Sequence, residues 1–471
     1  MPFYRDLRLN RLYSRDEADW IARRLLDLRA QLKSPAPKGV PNRTLDSSLI
    51  IGTWNLRDFD NNKFRHGPRR RESLHYIAEI ISSFDVCALQ EINEDLEPIK
   101  QVLSLLGPTW DFIATDVTQG AGGNRERMAF VYDTRKVQFR HIAGEVVIPK
   151  HKLLAGEQQF ARTPFLVSFQ SGWFRFSLCT VHIYFGDDSP GSEGYKRRVE
   201  EIEYIAKDLS ERAKRDNENY IILGDFNIKN PMDETMTALT KAGFQLPPQL
   251  FPSNLIGDKY YDQIAFSTRK DLVSFLSAGV LDFSQSVYTP DHYAHYAPAL
   301  PARHRDLAKN GVPLDKGKDK DYYLKRWRTW QMSDHLPLWV ELAVDFSDEY
   351  LARFLNDEIA ARGAPAQLEA DYQRVRLSRA EKTVAAPTEK ARPVEPEKGE
   401  KLPRPIKQKK RRKPRVPEKE KTGIARVERP FTLGEMWRIV KYVASGEAGR
   451  VRQFRKEQEK KARAAMKAKS R

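Results

Sequence analysis

An apolar run that ends in a polar turn occurs at residues 220–227, which read YIILGDFN. Consecutive apolar residues are typical of a buried strand, and Gly, Asp and Asn favour the turn that follows. Polar residues also follow three other apolar runs directly, and a polar pair opens a fourth run. These polar side chains beside strand ends are Asn55, Glu91, His182, and the pair Asp334 and His335. Because several strand ends can converge on one edge of a sheet, these residues are candidates for a common site.

The side chains at these positions suit the transfer of a phosphoryl group. Carboxylate oxygens are ligands for Mg²⁺, and a histidine acts as acid or base near neutral pH. Phosphoryl transfer depends mainly on such positioning and on electrostatic stabilisation. Each residue alone also fits a structural role, such as a turn, a strand end in solvent or a buried histidine. Only their joint occurrence therefore indicates a site.

The pattern of apolar residues predicts an α+β fold. Predicted strands cover residues 49–55, 86–90, 111–115, 128–133, 137–148, 165–170, 174–183, 220–224, 263–266 and 337–344. Predicted helices cover residues 71–84, 195–213 and 348–362. Many strands with few helices favour two packed sheets flanked by helices over a doubly wound parallel sheet.

Two segments fall outside this strand pattern. In the leader, residues 1–47, a capping box at Ser14 and Glu17 precedes apolar residues at near-helical spacing up to Leu32. The predicted helix fits either packing on the body or binding of a partner. Residues 283–330 interrupt the strands, and their aromatic and basic stretch 322–330 fits either contact with nucleic acid or anchoring of the loop.

Seven short motifs occur in one order between residues 49 and 342: TWNL, LQEI, RMAFVYD, VHI, LGDFN, YDQI and SDHLP. Together they resemble the endonuclease/exonuclease/phosphatase superfamily, which includes deoxyribonucleases, sphingomyelinases and inositol-polyphosphate 5-phosphatases. The resemblance implies a four-layered α/β/β/α sandwich of two packed, mainly antiparallel sheets. It also implies that the active site lies at one edge of the paired sheets.

The resemblance further implies metal-dependent hydrolysis of phosphoester bonds, with Mg²⁺ as the cofactor and Mn²⁺ as an alternative. Glu91 would be the main metal ligand. Asn55 beside it would contact the metal or the phosphate, and Asp334 would hold the metal or its water.

The remaining motif residues would carry the chemistry. Asp225 and Asn227 would position the nucleophilic water and the scissile phosphate. His335 would be the general base or a phosphate ligand, with its ring oriented by Asp262. His182 would contact the phosphate and assist the leaving group.

Three arginines are candidates for binding the substrate. Arg127 matches the substrate-facing arginine of the family, and Arg125 is its rival, since alternation along a strand would put both on one face. Arg162, in the stretch ARTPF, matches another recurring pattern. A structural ion pair is the alternative interpretation of Arg162.

The motifs do not select the substrate, because nucleases, lipid phosphatases and other phosphoesterases share them. His182 stands where the exonuclease III branch carries tyrosine, which argues against repair of abasic sites. Three functions stay open: a nuclease, a phosphatase or phosphodiesterase of inositol lipids or other small phosphoesters, and a non-catalytic protein that binds nucleic acid. The first is the favoured hypothesis.

The positive charge of the chain is concentrated at its end. The 471 residues include 81 Lys and Arg against 64 Asp and Glu, a net charge of +17. Residues 376–471 hold 31 of the basic and 12 of the acidic residues, a net of +19, so residues 1–375 sum to −2. Such a basic tail favours nucleic acid as a partner, with an acidic membrane surface or plain solvation as alternatives.

The composition also suggests how the chain is divided. We predict a leader at 1–47, a catalytic domain at 48–345, a helical extension at 346–375 and a basic low-complexity tail at 376–471. The tail is expected to be disordered apart from a short amphipathic helix near 431–443. The chain has two cysteines and no apolar stretch typical of a signal peptide or a membrane span, so we expect a cytoplasmic protein.

Overall fold

The computed structural model describes residues 2–9, 11–59, 65–118, 123–154, 158–267, 274–301 and 316–362. All eleven predicted site residues lie within this part of the chain. The predicted tail at 376–471 and its predicted helix at 431–443 lie outside it. The predicted extension at 346–375 is described only as far as residue 362.

Eleven strands in the described residues form two sheets. In chain order they are β1 (Ser48–Phe59), β2 (Val86–Ile92), β3 (Trp110–Ala114), β4 (Arg127–Asp133), β5 (Gln138–Glu145), β6 (Phe165–Ser171), β7 (Phe174–His182), β8 (Asn219–Asp225), β9 (Asp262–Ser267), β10 (Ser274–Val280) and β11 (Leu338–Ala343). Sheet A has the order β10-β11-β1-β2-β4-β3, and sheet B has the order β5-β6-β7-β8-β9. One pair in each sheet is parallel, β1 with β2 and β7 with β8, and the other neighbours are antiparallel. The predicted α+β fold with two mainly antiparallel sheets is confirmed.

The alternation of side chains along the central strands separates two cores. Leu49 and Ile51 of β1 point into the core between the sheets, whereas Ile50 and Trp54 point into the core between sheet A and its helices. In β8, Leu223 faces sheet A in the same way. The neighbouring residues of β8 face the helices that cover sheet B. Both faces of each central strand are buried, which explains why these strands read as continuous apolar runs.

Helices form the two outer layers. Their bounds in chain order are α1 (Arg15–Leu32), α2 (Arg71–Ile81), α3 (Glu97–Leu106), α4 (Glu193–Asp216), α5 (Glu234–Lys241), α6 (Tyr293–Tyr296), α7 (Lys316–Tyr322), α8 (Arg328–Gln331) and α9 (Ser347–Arg362). Apolar residues of α1 to α3 pack on sheet A, and those of α4 and α5 pack on sheet B. Within the described residues, no helix is both long and apolar enough to cross a membrane.

The leader helix packs on the body, which was one of its two interpretations. The side chain and backbone of Ser14 form the expected capping box with Glu17. Ile21, Leu25, Leu28 and Leu32 are buried in the same core as α2. Burial of a large aliphatic side chain contributes about 1.5–3 kcal/mol, so these four residues hold the helix firmly.

The part of the predicted interruption that the structure describes, residues 283–301 and 316–330, is built of short helices rather than an open loop. Besides α6 to α8 it contains a π-helical turn at Tyr323–Trp327. Tyr323, Trp327 and Trp330 are almost fully buried. Tyr296 of this segment accepts a hydrogen bond from the Trp20 indole of α1 at 3.0 Å. The buried aromatic residues therefore anchor the segment on the body, and the alternative of base stacking by these rings is wrong.

Outside the segment 283–330, one described strand and two described α-helices were not predicted. Strand β10 was missed because only two of its seven residues are buried and its alternation is weak. Helices α3 and α5 were missed because each is short, with only three or four buried residues. Propensity over such short windows is a weak signal, and packing decides the structure.

Candidate active site

Irregular pairing turns the ends of β1 and β2 toward each other. The register between these strands shifts after Asn55, and that between β2 and β4 shifts near Glu91. Glu91 has a φ of 59°, and Arg57 and Asp58 have φ values of 44° and 48°. Bulges re-aim side chains, and such left-handed residues cost of order 1–3 kcal/mol unless the surroundings hold them. Here the backbone N–H of Asp58 donates to Glu91 Oε2 at 2.8 Å.

The parallel pair of β7 and β8 supplies the second half of the site. His182 lies directly opposite Asp225 in the register of these strands. Gly224 has a φ of 134°, and a Cβ there would lie 2.2 Å from the Val181 carbonyl oxygen, so the close approach requires glycine. Beyond the strand, the backbone N–H of Asn227 donates to Asp225 Oδ1 at 2.9 Å.

The two sheets meet at the carboxylate of Asp225. Asn55 Nδ2 donates to Asp225 Oδ2 at 3.0 Å and to Glu91 Oε1 at 2.8 Å. The Nε2 atoms of His182 and His335 lie 3.6 Å and 3.7 Å from the same Asp225 oxygen. Residues that are up to 280 positions apart in the sequence, from 55 to 335, thus surround one oxygen atom.

Asp262 and His335 form a buried pair. The Asp262 carboxylate is fully buried, and its Oδ2 lies 2.8 Å from His335 Nδ1. Burial alone would lower the pKa of His335, but the negative charges of Asp262 and Asp225 outweigh it and raise that pKa well above the ordinary value. The predicted orientation of the His335 ring by Asp262 matches this geometry.

A second carboxylate–histidine pair was missed by the sequence analysis. Glu126 Oε2 lies 3.2 Å from His182 Nδ1 and accepts a hydrogen bond from Arg162 Nε at 2.7 Å. Burial opposes ionisation of Glu126, but the hydrogen bonds and charges of His182 and Arg162 outweigh it and lower its pKa to about 2. Arg162 therefore takes the ion pair that was its alternative interpretation, and through Glu126 it supports the orientation of His182.

The acidic side chains of the site fall into two groups in the described residues. One group is Asp58, Glu91 and Glu126, and the other is Asp225, Asp262 and His335. Within each group the potential ligand atoms lie within 4.8 Å of one another. Asp58 was not predicted, because a single aspartate near the end of a strand resembles any solvated turn residue. The oxygen-rich first group has the donor chemistry that Mg²⁺ requires.

Asp334 belongs to neither group. Its side chain is about half exposed, and its Oδ2 lies 3.5 Å from Arg57 Nη1. The preceding residue, Ser333, is fully buried; its hydroxyl donates to the Asn55 carbonyl at 2.6 Å and accepts from the His335 N–H at 2.9 Å. Ser333 thereby fixes β1 to the segment that carries His335.

The structure separates the two rival arginines. Arg127 begins β4, and its Nη1 donates to the Thr115 carbonyl oxygen at 2.7 Å. Arg125 lies before the strand in a turn, with a φ of 60°. Its side chain is largely exposed and pairs with Glu94 at 2.6 Å. The expectation that both arginines share one strand face is therefore wrong, because β4 begins only at Arg127.

A four-layered sandwich whose strand ends assemble carboxylates, asparagines and two histidines defines a phosphoester hydrolase. The sequence pattern of the Endonuclease/Exonuclease/phosphatase family matches residues 52–319, which is more than half of the chain. The protein belongs to this family, whose members hydrolyse phosphoester bonds and generally depend on divalent metal ions. The family resemblance noted in the sequence is thus confirmed.

Solved structures of the same family are distant from this chain in sequence. An endonuclease/exonuclease/phosphatase family protein from Bacteroides thetaiotaomicron is 18% identical, with a TM-score of 0.41, over 64% of this chain and 96% of its own. A mannosyl-6-phosphatase from the same organism is 18% identical, with a TM-score of 0.40, over 62% and 99%. The D. rerio TDP2 complexed with single strand DNA product is 13% identical, with a TM-score of 0.39, over 63% and 99%. No curated protein is similar enough in sequence to be matched with the chain.

Proposed function

We propose that the protein is a Mg²⁺-dependent phosphodiesterase that cleaves nucleic acid. The observation that carries the hydrolytic part is the meeting of Asn55, His182 and His335 at one oxygen of Asp225. Glu91 lies beside them, 2.8 Å from the Asn55 amide. A site of this kind holds a phosphate between hydrogen-bond donors and a metal, which is what phosphoryl transfer requires.

Glu91 and Asn55 remain the proposed metal ligands, with Asp58 of the first acidic group as a further candidate. Their hard oxygen atoms fit Mg²⁺, which when bound would polarise the phosphate and lower the pKa of a coordinated water. Glu126 is already engaged by Arg162 and His182, so we assign it to orientation of His182. Asp334 serves as a metal or water ligand only if it leaves Arg57.

The two histidines take different positions in the proposed reaction. His335 Nδ1 faces the buried carboxylate of Asp262, which leaves Nε2 directed at Asp225 and the space beside it. This arrangement suits a general base that accepts a proton from the nucleophilic water. His182 Nε2 faces the same carboxylate from sheet B and is proposed to contact the phosphate and assist the leaving group. Asn227 is proposed to position the scissile phosphate.

Nucleic acid as the substrate rests on the basic tail. Its net charge of +19 over residues 376–471 would draw a polyanion to the protein. At the site, Arg127 is the proposed contact to the phosphate backbone. The rings of Tyr323, Trp327 and Trp330 are buried and give no support to base recognition.

Hydrolysis of a small phosphoester or an inositol lipid is the second candidate. One observation favours it: residues 1–375, which contain all of the proposed catalytic side chains, have a net charge of only −2. A nuclease would be expected to hold its substrate with more positive charge on the catalytic body.

The experiment is to offer the full-length protein, with Mg²⁺, three kinds of substrate in parallel. These are supercoiled plasmid, single-stranded RNA, and a panel of phosphomonoesters and inositol phosphates. Controls are EDTA and the Glu91→Gln and His335→Ala variants. Nicking or RNA cleavage that is lost in every control supports the proposal. Release of phosphate from the small panel, with both nucleic acids intact, replaces it with the second candidate. Tight nucleic-acid binding without any turnover would indicate a non-catalytic binder.

A further inference from the structure

One turn of α4 lies behind the site and carries two buried charges. Arg198 is 1% exposed and Glu201 is 0% exposed. They are three positions apart, so they lie on one face of the helix. Neither side chain touches any of the proposed catalytic side chains, and each instead contacts the backbone of segments that carry them.

Arg198 holds the segments that follow β7 and β8. Its Nη1 donates to the Asn227 carbonyl oxygen at 3.0 Å. Its Nη2 donates to the carbonyl oxygens of Phe185 and Asp187, the latter at 3.0 Å. The guanidinium also lies over the ring of Phe185, at 5.1 Å from the centroid. One side chain therefore connects the loop after His182 to the backbone of Asn227.

Glu201 holds two other segments. Its Oε1 accepts a hydrogen bond from the N–H of Ala161 at 3.0 Å, and its Oε2 accepts one from the N–H of Tyr184 at 3.1 Å. Ala161 directly precedes Arg162, which pairs with Glu126. Tyr184 lies two residues after His182. Glu201 thereby fixes the segment after His182, which contacts the phosphate in the proposed reaction. It also fixes the segment of Arg162, which supports His182 through Glu126.

The energetics argue that these charges serve geometry rather than stability. Burying a charge is costly even when it is paired, and apolar side chains of similar size often give an equally stable protein. What apolar side chains cannot do is fix backbone N–H and C=O groups at defined positions. The planar donors of Arg198 and the two acceptor oxygens of Glu201 do so at five separate points of the site's backbone.

We propose that Arg198 and Glu201 are positioning residues that set the spacing of His182 and Asn227 around the phosphate and hold Arg162 in place behind His182. The inference rests on hydrolysis of phosphoester bonds but not on nucleic acid as the substrate. Loss of Arg198 or Glu201 is expected to disturb the groups that contact the phosphate, which end or follow strands of sheet B. The proposed metal ligands Glu91 and Asn55 belong to sheet A.

The test is steady-state hydrolysis of bis(4-nitrophenyl) phosphate by full-length Arg198→Met, Arg198→Lys and Glu201→Gln. A shift of about 1 Å at a reacting group costs of order 100-fold, so kcat is expected to fall about 10- to 100-fold. KM and the Mg²⁺ concentration for half-maximal rate should stay near the wild-type values. Arg198→Lys should regain only part of kcat, because an ammonium cannot reproduce the fork.

Arg212 on the same helix provides the matched control. It pairs with Asp208 at 2.7 Å and is partly exposed, and it lies about 21 Å along α4 from Arg198, so Arg212→Met should leave kcat unchanged. An unchanged kcat in Arg198→Met and Glu201→Gln would overturn the proposal. So would a loss of rate that merely follows the unfolded fraction, measured by thermal unfolding. If Arg198→Met does not fold, the isosteric Glu201→Gln decides alone.

Hydrogen exchange separates this inference from the proposed function. If the wild-type protein hydrolyses no diester, peptides that cover residues 159–162 and 183–188 must still exchange faster in the Arg198 and Glu201 variants. The same peptides should be unchanged in Arg212→Met. Exchange that does not differ from wild type in these peptides would overturn the positioning role, whatever the substrate is.

Discussion

Replacement of Asp262 by asparagine probes the proposed general base at its buried partner. The Asp262 carboxylate is fully buried and lies 2.8 Å from His335 Nδ1. Together with Asp225 it raises the pKa of His335 well above the ordinary value. Asparagine keeps the shape of the side chain and removes its charge, so the change isolates the electrostatic effect.

The magnitude follows from the type of hydrogen bond that is lost. A hydrogen bond to a charged group contributes about 1.5–3 kcal/mol, and a neutral one contributes about 1 kcal/mol. The difference of about 1–2 kcal/mol corresponds to roughly one pKa unit, since one unit is 1.36 kcal/mol. The imidazolium form loses this stabilisation, so the pKa of His335 should fall by about one unit in Asp262→Asn.

The direction of the effect on kcat follows from the lower pKa of His335. A general base works in its neutral form, so kcat rises with pH through the pKa of His335 in the folded protein. In Asp262→Asn this rise should move to lower pH by about one unit. The plateau should also fall, because a ring with a lower pKa is a weaker base.

The assay is kcat for bis(4-nitrophenyl) phosphate against pH at saturating Mg²⁺. Asp208→Asn serves as the control, since Asp208 is partly exposed and pairs with Arg212 on α4 at 2.7 Å. Its profile should match that of the wild type. A rise in kcat that stays at the wild-type pH in Asp262→Asn, or moves upward, would refute the assignment of His335 as the base.

Three further predictions concern stability and the tail. Burial would raise the pKa of Asp133, but hydrogen bonds from Arg135 and Arg43 outweigh it and lower it to about 2. Its stabilisation is therefore present above the unfolded-state pKa of about 4 and is lost as pH falls through about 2. In urea unfolding at pH 6, Asp133→Asn should lower the free energy of unfolding by up to about 2 kcal/mol. The same loss near pH 2 would contradict this pH dependence. Trp327→Ala should lower the free energy of unfolding by about 3–5 kcal/mol, because Trp327 is buried against other aromatic rings. The neighbouring Arg326 is exposed, so Arg326→Ala should change the free energy of unfolding by less than about 0.5 kcal/mol. Deletion of residues 376–471 should weaken nucleic-acid binding and flatten its salt dependence while sparing bis(4-nitrophenyl) phosphate hydrolysis, and loss of that hydrolysis would place the tail in the catalytic fold.

The residues at strand ends were predictable because the signal is local. A buried run followed at once by Asn55, Glu91, His182 or Asp225 is visible in the sequence, and the order of the motifs indicated the family. The structure brings these four residues together at one edge, as the pattern suggested. Their individual roles in catalysis stay predictions.

The residues that support the site, Glu126, Arg198 and Glu201, could not be predicted, because their contacts depend on how the sheets and helices pack together. Glu126 stands between two arginines in the sequence and reads as a solvated charge. Its contact with His182 exists only because β4 and β7 belong to facing sheets. Arg198 and Glu201 likewise read as charges on an exposed helix. Their burial follows from how α4 lies on sheet B, which spacing along the helix cannot reveal.

Aromatic composition was ambiguous for a related reason. The stretch from Tyr322 to Trp330 has the same residue types whether it binds bases or fills a core. Its rings pack against Tyr288 and Tyr296, which come from residues about thirty positions earlier in the same segment. These rings belong to the same core as α1 and α2, and no local signal distinguishes that outcome from an exposed binding loop.

The most direct test of the central claim is the Mg²⁺ dependence of bis(4-nitrophenyl) phosphate hydrolysis by wild type, Glu91→Gln and Glu94→Gln. Glu91 lies against Asn55 at the meeting point of the sheets, whereas Glu94 is largely exposed and pairs with Arg125. We predict hydrolysis by the wild type that EDTA abolishes, a similar rate for Glu94→Gln, and for Glu91→Gln a raised Mg²⁺ requirement with a rate lower by about 100-fold or more. A Glu91→Gln protein with the wild-type rate and the wild-type Mg²⁺ dependence would contradict the account.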